Sequence, residues 1–123
     1  MITIYIQSSA TSVEVGEEFT VTIVFNSIEQ VKSFGLKPTI DTNYFEIVSG
    51  EMLVSGAISD YRDGMGVVAY NTCTDVNAPV LRLVIKAKKA VVNGQIGCEA
   101  SVIGADDNKM TGIQPAAITV TVK

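Results

Sequence analysis

Between residues 19 and 26 the chain reads FTVTIVFN, with Phe19, Val21, Ile23 and Phe25 alternating with Thr20, Thr22, Val24 and Asn26. Side chains on an extended strand point to opposite faces in turn, so this run buries one row and wets the other. A helix would scatter the same four apolar residues around its circumference, so the run commits this part of the chain to a sheet. Residues 34–50, FGLKPTIDTNYFEIVSG, continue the pattern as a strand, an acidic turn at Asp41 and a second short strand closing at Ser49-Gly50. Phe34, Leu36, Pro38 and Ile40 share one face there, and Ser33, Gly35, Lys37 and Thr39 share the other.

The same period returns along most of the chain. Ile2, Ile4 and Ile6 alternate with Thr3 and Tyr5, and further strands are expected over 65–72, 80–88, 95–103 and 117–122. Gly, Asn, Asp and Pro separate them. Many short strands punctuated in this way predict an all-β sandwich. No segment longer than about ten residues carries a helical period. The stretch 51–64 is the least regular and reads as a loop holding a short strand around Ala57. Pro38 conflicts with its surroundings: it has no N–H to donate to a ladder, so an edge position or a bulge is expected there.

The 123 residues suffice for one domain with its own core, and 47% hydrophobic against 18% charged residues excludes disorder. No apolar stretch reaches the roughly 20 residues of a membrane helix, which predicts a soluble domain without a membrane span. Met1 leads straight into strand-like ITIYI, so the expectation is a domain cut from a longer parent, or else a cytoplasmic protein. A net charge of −4 offers no basic footprint for nucleic acid. Lys86, Lys88 and Lys89 form the only basic cluster, and the first and last-but-one of these read as the solvated face of a strand.

Catalytic chemistry is poorly supplied. The chain has no histidine, which removes the commonest general base and metal ligand, and it has no GxSxG elbow. Asp60 with Asp63, and Glu17 with Glu18, are the carboxylate pairs on offer; both fall at strand ends or turns, where solvated charge is the ordinary role. No glycine-rich loop opens a helix, so nucleotide binding is not expected. Residues 106–112, DDNKMTG, are rich in oxygen ligands but lack the alternation and terminal Glu of a calcium loop, and read as a polar hairpin turn. Cys73 and Cys98 are compatible with a disulfide in a secreted protein or with small buried hydrophobes. The chain has no tryptophan, so Tyr61 and Tyr70 are the residues available for an exposed aromatic platform.

Taken in order, these segments resemble the cohesin domains of bacterial cellulosomes. Residues 13–23, VEVGEEFTVTI, fit the family's opening V-x-V-G-[ED]-x-[FV]-x-V-x-V. Residues 33–50 fit its strand, Asp turn and closing E-[VI]-V-S-G, and residues 79–89, PVLRLVIKAKK, echo a later strand. GADDNKM at 104–110 and ITVTV at 118–122 complete the match, which spans nearly the whole chain.

The resemblance implies a jelly-roll sandwich of roughly nine strands whose first and last strands pair. It also implies a non-catalytic, extracellular or surface-attached module that binds a dockerin domain as a monomer. No cofactor is implied, since any calcium would belong to the dockerin. The family docks through the third, fifth, sixth and eighth strands. By position this assigns partner contacts to Ser33, Gly35, Lys37 and Thr39, to Tyr61, to Tyr70 and Thr72, and to Lys109 and Met110. A one-residue shift of the strand 65–72 would bury Tyr70 and expose Ala69 instead. The family's topology keeps the sixth and eighth strands parallel with the third between them, which places Cys73 and Cys98 at opposite ends and implies no disulfide. A carbohydrate-binding module using Tyr61 and Tyr70, and a structural spacer of a surface adhesin, are the alternative readings.

Overall fold

The computed structural model describes residues 2–123. Ten strands, and no helix among the described residues, form two facing sheets: β1 (Ile2–Ser8), β2 (Ser12–Val13), β3 (Glu18–Ser27), β4 (Val31–Ile40), β5 (Phe45–Met52), β6 (Ile58–Arg62), β7 (Met65–Thr74), β8 (Asn77–Ala87), β9 (Val91–Gly104) and β10 (Ala116–Val122). The four-stranded sheet has the order β1-β3-β8-β5, and the six-stranded sheet β2-β10-β9-β4-β7-β6. No helix is long and apolar enough to cross a membrane.

The expected sandwich is present, with one strand more than expected. The chain leaves β1 at Ser8, turns, and adds the two-residue β2 to the other sheet, parallel to β10 at Thr121 and Val122. The first strand proper, β1, pairs with β3 and not with the last strand, so the expected first-to-last pairing is carried by β2 alone. The short turn after Ser8, where the Ser8 hydroxyl donates to the Ala10 carbonyl at 2.6 Å, moves the chain from one sheet to the other.

The core lies between the sheets and is built from the predicted inward rows. Phe19, Val21, Ile23 and Phe25 of β3 are buried, as are Phe34 and Leu36 of β4 and Leu81, Leu83 and Ile85 of β8. Phe25 stacks on Phe34 across the two sheets at 4.4 Å between ring centroids, and Phe19 meets Phe45 edge-on at 6.1 Å. Each such pair adds about 1 kcal/mol beyond the apolar area it buries. Pro38 sits in an otherwise central strand, but the β4–β7 ladder ends at Leu36 and Gly66. At Pro38 the strand has only β9 beside it, so the proline occupies a local edge.

β4 runs antiparallel to both β7 and β9, which are therefore parallel to each other, as the family topology requires. Cys98 lies opposite Pro38, while Cys73 adjoins Thr74, which lies opposite Val31. Seven residues of strand separate those two stations, about 23 Å. Both cysteines are free thiols. The loop before Met110 is the predicted polar turn: the Asp106 carboxylate accepts from the Asn108 amide at 3.2 Å, which holds its pKa below the usual carboxylate range. Lys32 closes the turn by an ion pair with Asp107, which raises the lysine's pKa.

Candidate functional site

The site begins with a tight turn. Arg62 pairs with Met65 across the two residues Asp63 and Gly64, both at positive φ (53° and 77°). Asp-Gly is the preferred sequence of a two-residue hairpin turn with both central residues left-handed, and such a turn fixes the register of the strands it joins. Tyr61 then lies opposite Gly66, Asp60 opposite Val67, Ser59 opposite Val68 and Ile58 opposite Ala69. Arg62 and Asp60, joined by an exposed ion pair at 3.2 Å, must face solvent, and their row carries Met65, Val67, Ala69 and Ile58 outward with them.

That register turns two of the expected contact residues inward. Tyr61 faces the interior: a Cβ on Gly50 of the opposite sheet would sit 2.6 Å from its ring. Tyr70 shares the inward row of Val68, and its ring lies 6.3 Å from that of Phe34. Burial raises the pKa of both phenols. Met110 packs partly against the core, beside Gly104, and is half-buried. The one-residue shift is the phase that occurs, so Ala69 is exposed and Tyr70 is half-buried against the core.

The remaining expected residues do reach the surface. On β4, Ser33 lies opposite Ala69 and Ile103, Gly35 opposite Val67 and Ser101, and Lys37 opposite Glu99. Ser33, Gly35 and Lys109 meet in one shallow concavity of about 510 Å³, walled by Ile58, Val67 and Ile103. Lys37 is exposed beside it, whereas Thr39 lines a separate, more polar depression of about 720 Å³ with Gln95 and Gly97. Thr72 is exposed on a bulge, since only Lys32 separates Val31 from Ser33 while four residues separate Thr74 from Ala69. The residues missed from sequence are Ile58 (73% exposed), Val67 (48%) and Met65 (40%). The Asp63-Gly64 turn held the signal that finds them.

The outer surface of β9-β4-β7-β6 is thus flat and small-residued at its centre and apolar along β6 and β7, with charges at the rim. Exposed apolar groups gathered into one tract mark an interaction surface more often than scattered ones do. The carboxylates Asp63, Glu17 and Glu18 are exposed, and Asp60 is paired with Arg62, so the acidic residues build no enclosed site.

The class of the protein is a two-sheet, all-β sandwich with a partly apolar outer face on its six-stranded sheet. More particularly, the fold is that of cohesin modules. It superposes on the cohesin module of a family 33 glycoside hydrolase from Clostridium perfringens with a TM-score of 0.78, 13% identity and coverage of 100% of this chain and 98% of the other. A non-cellulosomal cohesin from the hyperthermophilic archaeon Archaeoglobus fulgidus matches at 0.70 and 10% identity, over 98% and 91% of the two chains. The third ScaC cohesin of Acetivibrio cellulolyticus, solved in complex with the ScaB dockerin, matches at 0.70 and 14% identity, over 98% and 99%. No protein-family model and no curated protein matches the sequence.

Proposed function

We propose that this chain is a non-catalytic binding module whose partner is a dockerin domain, held by the outer face of β9, β4, β7 and β6. The observation that supports this most is the exposed tract of Ile58, Met65 and Val67 around Ser33 and Gly35. It lies on a fold shared with cohesins, several of which were solved in complex with dockerins. The proposed setting is a scaffold or surface protein outside the cell, with the domain acting as a monomer. The glycan-binding alternative needs Tyr61 and Tyr70 as a platform, and both face inward.

Calorimetry against the dockerins encoded in the same genome tests the reading. The expected result is at least one dockerin bound at micromolar affinity or tighter, and lost in Val67→Asp. Failure across the whole set overturns the assignment.

A further inference from the structure

Glycine in mid-strand weakens a sheet, so Gly35 calls for a reason. The backbone is not that reason, because Gly35 is absent from the positions with positive φ. Nor is packing: a Cβ there would meet only the Met65 methyl at 3.6 Å and the Gly66 carbonyl at 3.9 Å, which is ordinary contact. By contrast, a Cβ on Gly50 would strike a tyrosine ring at 2.6 Å. The fold demands glycine at 50 and merely tolerates it at 35.

The missing side chain instead shapes the surface. Gly35 is the floor of the concavity, between Val67 on one side and Ser101 on the other, and Val67, Ile58 and Ile103 rise around it. Two charged residues line the concavity, Asp60 and Lys109. Asp60 is neutralised by Arg62, while Lys109 has no ion-pair partner among the described residues.

We infer that Gly35 is a specificity-determining position, keeping open a notch for one aliphatic side chain of a partner helix that carries a carboxylate within a turn of it for Lys109. This deepens the proposed function and rests on the same face being the docking surface. An apolar anchor in a small-floored notch would supply the attraction, and the uncompensated lysine would select its neighbour and speed encounter.

The test is a phage-displayed library of helical-hairpin peptides with randomised surface positions, selected on the wild-type domain. Binders are then measured against Gly35→Ala, Gly35→Leu and Lys109→Glu. Selected helices are expected to share one Leu, Ile or Met with Asp or Glu a turn away. Gly35→Leu should weaken them by about tenfold or more, as for loss of a hot-spot contact. Lys109→Glu should slow association and lower its salt dependence. Gly35→Ala should melt at the wild-type temperature or above, which separates a lost notch from a lost fold. Binders indifferent to Gly35→Leu, binders with a polar anchor, or no binders at all would overturn the inference. Dockerin calorimetry stays a separate readout: dockerins that bind wild type and Gly35→Leu equally would sink the notch but leave the docking face standing.

Discussion

At the residue scale, the two cysteines show how identical side chains acquire different chemistry from position alone. Cys98 is inside the sandwich, where burial disfavours the thiolate and pushes its pKa from 9.0 up to about 12. Cys73 is only partly buried, at the bulged end of β7. A thiol reagent at neutral pH should therefore label one cysteine per folded chain, identified as Cys73 by peptide mass, and both in denaturant. Equal labelling of Cys98 in the folded state would contradict its burial. The raised pKa also sets a direction for stability. The fold holds the thiol neutral and unfolding frees it to ionise, so its contribution is complete below about pH 9 and is lost as pH rises toward 12. Denaturant titrations between about pH 8 and pH 10.5 should show a steeper fall for wild type than for Cys98→Ala. The buried role of Cys98 was legible from its place in an alternating strand. That of Cys73 was not, because the bulge has no signature in the alternation.

At the element scale, β6 and β7 decide where the functional face lies. Their strands read ISDYR and MGVVAYNTCT, and the apolar pair Val67-Val68 suits either phase. Reading β7 alone leaves the choice open, and preferring an exposed Tyr70 selects the wrong one. The hairpin settles it: Asp63 and Gly64 admit one register, and Asp60 and Arg62 are charged, so Val67 goes out with them. The β3, β4 and β8 faces were readable from sequence because each presents several large apolar residues in one phase, while β7 presents glycine and alanine among its inward and outward positions. Adjacent valines thus carry opposite burdens. Val68, 2% exposed, faces the core, and Val68→Asp should cost at least about 3 kcal/mol by burying a charge without a partner. Val67→Asp should change stability by less than about 1 kcal/mol, while abolishing partner binding. Urea unfolding of the two variants measures this directly; equal destabilisation would mean that the strand lies in the other phase.

At the scale of the whole molecule, the two outer faces differ in how their charges are arranged. On the four-stranded sheet, Lys86 lies between Glu18 and Glu46 in cross-strand register, and Arg82 lies between Thr22 and Glu51. Opposite charges in cross-strand register attract one another even without a close ion pair, and they lower the net charge that this face offers a partner. Its apolar residues are separated: Val24 and Val84 are half-buried, and the exposed Tyr5 and Val48 lie on its two edge strands, β1 and β5. The six-stranded sheet gathers Ile58, Met65 and Val67 beside Lys109, which has no ion-pair partner among the described residues. A sandwich uses both inner faces for its core, and of the two outer faces it is the six-stranded one that gathers its exposed apolar residues around a single concavity. Partner binding should therefore be one-sided. With any dockerin that binds, Lys86→Gln and Arg82→Gln should leave affinity within about twofold, as expected for exposed charges outside a contact. Lys109→Glu should slow association by about tenfold at low salt, with the difference shrinking as salt screens it. Amide shifts in a titration should cluster on β4, β6, β7 and β9. Shifts centred on β3 and β8, or equal losses from Lys86→Gln and Lys109→Glu, would move the partner to the opposite sheet.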